Sequence, residues 1–338
     1  MEDVHIFYGE YRRNNMKRIL ALALALCMIF ALAACGGGQK AAQSGPFKPT
    51  GPVTMIVAYK AGNGTDITAR ILAKYAEKYI GQTIVIDNQD GGSGSKGWSK
   101  LSSAKPDGMT IGFINLPNFN SSIVKKLGTY TIDSFAPICN HVSETSIVVV
   151  RADDDRFPDL NALVEYGKAH DGELIASTNG AQASNHIGAQ AFANSAGFKY
   201  KAVPKGNTNE ELTSLLGKEA DFCVVKVPDI SSMADSVKVL GVFGTDRLPE
   251  LPDVPTLAEL GYYKDWLGSS RCIAAPAGVS EEVVKFYEDA FRQAMEDPDY
   301  LAESSSFATD FKDAAATKEL VKQQQDFTEG LASGFWYD

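Results

Sequence analysis

The stretch AGNGTDITARILAKYAEKYIG, residues 61–81, sets a loop of small residues ahead of an amphipathic run. The first backbone N–H groups of a helix have no acceptor in a preceding turn, and the helix dipole adds partial positive charge there. A Gly-rich loop that opens a helix can therefore hold an anion on its amides. A second stretch, STNGAQASNHIGAQAFANSAG at 177–197, repeats the plan with a polar loop and a run that stops at Gly197. Ser184 or Asn185 is placed to cap this second helix, and His186 falls in its first turn. His186 taken alone reads equally as a core or capping histidine. Two such helix starts facing one another would hold a guest with a carboxylate at each end.

The phosphate fingerprints are not met. GNGTD lacks the Gly-Lys-Ser/Thr of a P-loop, Lys96 in GGSGSKGW (91–98) is outside that spacing, and Ile67 stands where a dinucleotide motif has its third glycine. Hydrolytic ingredients exist in Ser184, His186 and Asp66. Ser184 and His186, however, lie two apart on one helix start, where side chains do not face each other. No Gly-x-Ser-x-Gly elbow and no His-Glu-x-x-His pair is present. The expectation is a binding protein and not an enzyme, with no cofactor.

These loops need strands and helices to carry them. Short β-branched runs bounded by Gly, Pro or Asp predict buried strands at 53–59, 83–88, 109–115, 146–150, 173–178, 220–225 and 237–243. Helical periodicity falls between them at 66–80, 94–104, 158–170, 184–196 and 208–217, and again at 280–296 and about 314–333. Such alternation predicts an α/β fold with parallel sheets flanked by helices. In the first helix Thr65 and Asp66 are suitable caps, Ile67, Ile71, Leu72, Tyr75 and Tyr79 form one face, and Gly81 suits the C-terminal stop.

The front of the chain bears on location. MKRILALALALCMIFALAAC, from Met16 to Cys35, has the basic, apolar and small-residue regions of a secretory signal. Residues 1–15 fit no signal and read as an upstream extension. LAAC resembles a lipobox, which makes Cys35 a lipid-bearing N-terminus; residues 35–50 then read as a flexible tether. No later stretch is apolar for the ~18 residues a spanning helix needs, so the membrane is reached only through the lipid anchor. Beyond residue 34 there are 28 Lys and Arg against 39 Asp and Glu, a net charge of −11, which argues against nucleic acid as a partner. Cys139, Cys223 and Cys272 sit among apolar neighbours and read as buried free thiols; with four His and no Cys-x-x-Cys, a zinc site is not expected.

Several segments occur together in an order that resembles the substrate-binding proteins of tripartite tricarboxylate transporters, the TctC or Bug receptors. They are AYKAGNGTDITARILA, IVIDNQDGGSGSKG, AKPDGMTIGF, SFAPI, NGAQASNHIGAQAF, LPDVPTLAELG and AAPAG, spread over about 51–330. The resemblance implies a type II periplasmic-binding-protein fold: two lobes, 51–150 plus 266–338 and 151–265, with a ligand cleft between them. It implies an extracytoplasmic monomer that captures a small organic anion, a di- or tricarboxylate or an aromatic acid, and delivers it to membrane permease subunits. A co-receptor for a membrane sensor kinase and, behind it, a secreted hydrolase are the alternatives. Carried over position by position, the first ligand loop is Tyr59, Lys60, Gly62, Asn63, Gly64, Thr65 and Asp66. The second is Asn179, Gln182, Ala183, Ser184, Asn185 and His186, and Gly94 and Ser95 lie near the cleft. Asp66 reads as a cap or hydroxyl acceptor and not as a carboxylate contact.

The chain departs from the family pattern where many members carry Asp-Thr, here Val225 and Lys226, and where many carry Trp-Phe, here Ser270 and Arg271. Lys60 and Asn63 replace Pro and Gly, and Ala183 replaces Thr. A lost acid and added cations lead to the expectation of a more strongly anionic guest, with Lys226 and Arg271 among the ligand-binding residues and Arg271 suited to a bidentate clamp.

Overall fold

The computed structural model describes residues 46–335 except 182 and 306. The expectations for residues 1–34, Cys35, the tether to residue 45 and Gln182 lie outside the described residues. From Lys48 onward the chain forms one unit. Its elements begin with β1 (Val53–Val57), α1 (Gly64–Ile80), β2 (Ile84–Asn88), α2 (Ser95–Ser102), β3 (Thr110–Leu116), α3 (Asn118–Val124) and β4 (Phe135–Arg151). Then come α4 (Leu160–Ala169), β5 (Ile175–Thr178), α5 (Ser184–Ala196), β6 (Lys201–Pro204), α6 (Thr208–Leu216), β7 (Cys223–Lys226) and β8 (Val237–Val242). The chain ends with β9 (Gly268–Pro276), α7 (Glu281–Met295), α8 (Pro298–Glu303), β10 (Thr309–Lys312) and α9 (Ala314–Phe335).

The pairing makes an α/β fold in two halves. In the first, β2, β1 and β3 are parallel; β9 is antiparallel to both β3 and β4, and β10 is antiparallel to β4. In the second, β7 and β8 flank β4 antiparallel on either side, β5 bridges parallel to Phe222 beside β7, and β6 runs parallel to β5. Within each half most strands therefore point the same way, and helices flank the sheets. In the second half the run Ile147–Val150 is buried on both faces. Val148 and Val150 meet Leu163 of α4 and Phe192 of α5, while Ile147 and Val149 meet Leu212 and Leu215 of α6. This is the period of two expected of a strand covered on both sides. In the first half Trp98 packs edge-on against Phe119, and its indole N–H donates to the Phe113 carbonyl (3.0 Å). Cys139, Cys223 and Cys272 are free and buried.

β4 joins the halves. It pairs with β9 from Phe135 to Thr145 and with β7 and β8 from Ser146 to Arg151. The returning chain crosses at the same place: Leu267 donates to the Phe243 carbonyl (3.1 Å) in the second half, and Gly268 already sits opposite Thr145 in the first. The two crossings lie side by side and leave no room. A Cβ on Gly268 would stand 2.2 Å from the Glu144 carbonyl oxygen and 2.5 Å from the Trp266 ring.

Two features of α1 differ from expectation. Asn63 caps it, accepting from the Thr65 amide (2.8 Å), so the helix opens before Thr65 and Asp66. Its buried face is Ala69, Leu72, Ala73, Ala76 and Ile80, and Ile67 is 49% exposed. Small residues let α1 lie close on α7, so the stripe through Ile67, Tyr75 and Tyr79 is displaced toward solvent. The first half of β4, and β6, β9 and β10, were not expected as strands. Polar residues interrupt their periodicity, and in β4 and β9 several of these face the cavity described below.

Two outcomes follow from this packing. Gly268→Ala should lose about 1–3 kcal/mol of stability in urea unfolding, because the obstacle includes backbone and cannot turn aside. His141 is fully buried; its Nε2 lies 2.7 Å from the Tyr300 hydroxyl and its Nδ1 has no partner. Burial pushes its pKa down to about 3. Below pH 6.5 the unfolded chain takes up a proton that the fold refuses, so stability falls as pH drops toward 3 by up to about 1.4 kcal/mol per unit. In His141→Gln this part of the slope should vanish. The difference between wild type and variant measured at pH 7 should change by about 2 kcal/mol at pH 5.

Candidate functional site

A cavity of about 560 Å³ opens where the two halves meet. Three helix starts reach it: Asn63, Gly64 and Thr65 from α1, Ala183, Ser184 and Asn185 from α5, and Gly206, Asn207 and Thr208 from α6. The strands at the crossing supply the rest. Asn115 pairs with Arg271, Glu144 with Ser269, and Lys226 with Ser146, so one stretch of ladder delivers Asn115, Glu144, Lys226 and Arg271 to the same wall.

The first loop is held by a buried carboxylate. Asp66 accepts from the Gly62 amide (2.8 Å), from Arg70 (Nε 3.0 Å, Nη2 3.0 Å) and from Asn88 Nδ2 (2.9 Å), while Asn88 also donates to the Tyr59 carbonyl (3.0 Å). Burial alone would raise its pKa. The bonds from Arg70, Gly62 and Asn88 outweigh that and hold it below the usual carboxylate range. Asp66 thus fixes the turn from behind and does not line the cavity. With Asp66 and Asn63 in place, Gly64 presents an amide that meets no acceptor among the described residues, as the first turn of a helix must. Asn115 adds support, donating to Thr65 Oγ1 (2.8 Å).

The second loop is built differently. Ala183 occupies the cap position of α5 and provides no side-chain bond; the side-chain Oδ1 of Asn179 instead accepts from the Asn185 backbone amide (3.3 Å). Neither Ser184 nor Asn185 is the cap, since both already lie within the helix. They are engaged by Lys226, whose buried ammonium donates to Ser184 Oγ (3.0 Å) and to Asn185 Oδ1. The Asn185 amide group donates in turn to the buried Glu211 (2.6 Å), whose carboxyl is pushed well up by burial. His186 turns away: its Nδ1 faces Thr178 Oγ1 at 3.4 Å, and burial lowers its pKa to about 4. Ser184 and His186 therefore share no hydrogen bond and form no nucleophile–base pair.

The charges at the wall are matched. Arg271 gives a bidentate pair to Glu144 (2.8 and 3.2 Å). The Lys226 amide donates to Asp229 Oδ2 (2.9 Å); burial lowers the pKa of the Lys226 ammonium and raises that of the Asp229 carboxyl. The expected surplus of positive charge is therefore not found. Glu144 and Asp229 both line the cavity beside Arg271 and Lys226. Lys60 is also removed from the count, being 82% exposed and lying 3.8 Å from Asp90.

Of the residues expected at the site, Tyr59, Asn63, Gly64, Thr65, Asn179, Ala183, Ser184, Asn185, Lys226 and Arg271 line the cavity. Lys60, Gly62, Asp66, Gly94, Ser95 and His186 do not. Gly94 serves packing: at φ 102° it leaves room for the Trp98 ring, and its neighbour Ser93 reaches the cavity in its place. Residues not anticipated are Asn115, Asn118, Glu144, Asp229 and the start of α6. The α6 start was visible in the spacing of Asn207 and Glu210, where Asn207 accepts from the Glu210 amide (3.0 Å) and Glu210 from the Gly206 amide (2.9 Å).

Asp66→Ala should cost about 1–3 kcal/mol in urea unfolding at pH 7, since it strands the Gly62, Arg70 and Asn88 donors. The folded pKa is depressed, so this contribution is complete above the unfolded value near 3.9 and is lost as pH falls through the folded one. Wild type and variant should therefore converge in stability under acid.

Similarity to known proteins agrees with this geometry. The family model described as the tripartite tricarboxylate transporter family receptor matches residues 68–328. A protein of Cupriavidus necator, "UPF0065 protein in gbd 5'region", is 29% identical over 287 residues, 82% of this chain and 85% of that one. A TctC solute-binding protein from Polaromonas superposes with a TM-score of 0.76 at 22% identity, over 86% of this chain and 100% of that one. MatC from Rhodopseudomonas palustris, solved with bound malate, gives 0.71 at 22% identity, over 84% and 99%. The fold is that of periplasmic binding proteins, and the chain belongs to the tripartite tricarboxylate transporter receptor family.

Proposed function

We propose that this chain is an extracytoplasmic receptor that captures a small organic acid in the cavity and hands it to the permease subunits of a tripartite transporter. The observation that carries the reading is the meeting of helix starts from opposite halves, Gly64 and Ser184, at one cavity of about 560 Å³. That volume suits a small molecule. Amides at helix starts favour a carboxylate without needing a net basic surface. The family and the malate-bound relative support the same class of guest.

The halves act as hinged lobes, 51–150 with 266–338 and 151–265. They bend at the paired crossings near Thr145–Ser146 and Leu267–Gly268. A carboxylate that touches both helix starts stabilises the closed form, and its differential affinity for closed over open sets the shift. The lipid on Cys35 keeps the monomer at the membrane, within reach of the permease. The chain does not transform its guest, because Ser184 is engaged by Lys226 and His186 by Thr178.

Thermal melts with di-, tri- and aromatic carboxylates test this directly. A true guest at about 100 times its Kd adds about 2.7 kcal/mol of stability, which is several degrees for a chain of this size. The guest should be recovered chemically unchanged after denaturation. A panel with no shift, or a guest recovered as product, would sink the proposal.

A further inference from the structure

We infer that the guest is an amino acid: besides its carboxylate it carries a protonated amine, which Asp229 and Glu144 receive. The inference rests on the organic-acid reading above and narrows its chemical class.

The reason is the charge at the wall. Lys226 and Arg271 bring two positive charges to the cavity, and Glu144 and Asp229 bring two negative ones. Arg271 spends two nitrogens on Glu144, at 2.8 and 3.2 Å, and the two side chains are only 15% and 10% exposed. The Lys226 ammonium is committed to Ser184 and Asn185. What remains to attract a carboxylate is the partial charge of the helix starts, roughly half a unit each. That suffices for one carboxylate. A plain dicarboxylate would place its second negative group against Glu144 and Asp229 with no free cation to offset them.

The wall also leaves acceptors unpaired. Asp229 uses one oxygen for the Lys226 amide, and its other oxygen meets no donor among the described residues. The side-chain oxygen of Asn115, beside Arg271 on the ladder, has no partner. Burial raises the Asp229 carboxyl, and Lys226 beside it offsets this only in part. An ammonium supplies three donors for these oxygens and carries its charge to the side of the wall that holds the two carboxylates. Its pairing with Asp229 would bring the β7 end of the second half onto the guest while the carboxylate holds α1 of the first.

Isothermal titration of the chain with matched pairs tests the inference: L-aspartate against succinate, L-glutamate against glutarate, L-alanine against propionate, and L-phenylalanine against 3-phenylpropionate. In at least one pair the amine-bearing member should bind about tenfold tighter or more, a difference of about 1.4 kcal/mol. Asp229→Asn, which keeps the shape, should erase most of that preference by weakening the amino acid more than its des-amino partner. The preference in wild type stands as a test even if the variant folds poorly. Des-amino acids that bind as well as or better than their partners would overturn the amine and leave the organic-acid receptor standing. Silence from these pairs and from the wider carboxylate panel would overturn both.

Discussion

The backbone ladder at the crossing fixes three of the charged groups in the cavity, Glu144, Lys226 and Arg271. β4 changes partners between Thr145 and Ser146, from β9 on one side of that point to β7 and β8 on the other. Because register is strict, Glu144 must fall opposite Ser269, two residues from Arg271, and Lys226 opposite Ser146. Side chains two positions apart on neighbouring strands share a face. The Arg271–Glu144 pair is thus a consequence of register. A slip of one residue in either strand would turn that strand's charge to the opposite face and part the pair.

The helix starts depend on a different device. A loop that offers its amides to a guest cannot use them to hold itself, so something behind it must. In the first loop this is Asp66, which takes the Gly62 amide, Arg70 and Asn88 on its two oxygens. In the second it is Lys226, which reaches across from β7 to Ser184 and Asn185. One loop is held by an anion and the other by a cation. The anion sits behind its loop, where Asn88, Arg70 and the turn shield it from the cavity; the cation sits at the wall.

The sequence shows much of this and hides a definite part. Gly81 ends α1 in the left-handed conformation its position calls for, at φ 74°, and the buried run Ile147–Val150 is a strand as its composition requires. Both loops were legible from small and polar residues placed ahead of periodic ones. The errors share one cause. Counting Lys226 and Arg271 as added cations treats residues singly, whereas Glu144 lies 127 positions from Arg271 and becomes its partner only through the ladder. GSSRCIAAP and the first half of β4 escaped notice as strands because the polar residues that interrupt their pattern serve the crossing and the cavity. Burial of α1 through alanines, and not through Ile67 and Tyr79, depends on how closely α7 lies against it, which periodicity does not report.

The same physics explains why a guest should be needed for closure on the proposed reading. Helix starts carry partial charge of one sign, so α1 repels α5 and α6 when the halves approach. Their free amides are all donors and cannot satisfy each other. Closing an empty cavity would strip water from the Gly64 and Ser184 amides with nothing to replace it. A carboxylate reverses each of these terms at once: it supplies acceptors, and it puts negative charge between like ends. The paired Arg271 and Lys226 keep this dependence intact. Had Glu144 and Asp229 been absent, two free cations would have added to the repulsion and favoured any anion of sufficient charge. Neutralising them leaves the helix starts, with their fixed directions, to hold the carboxylate.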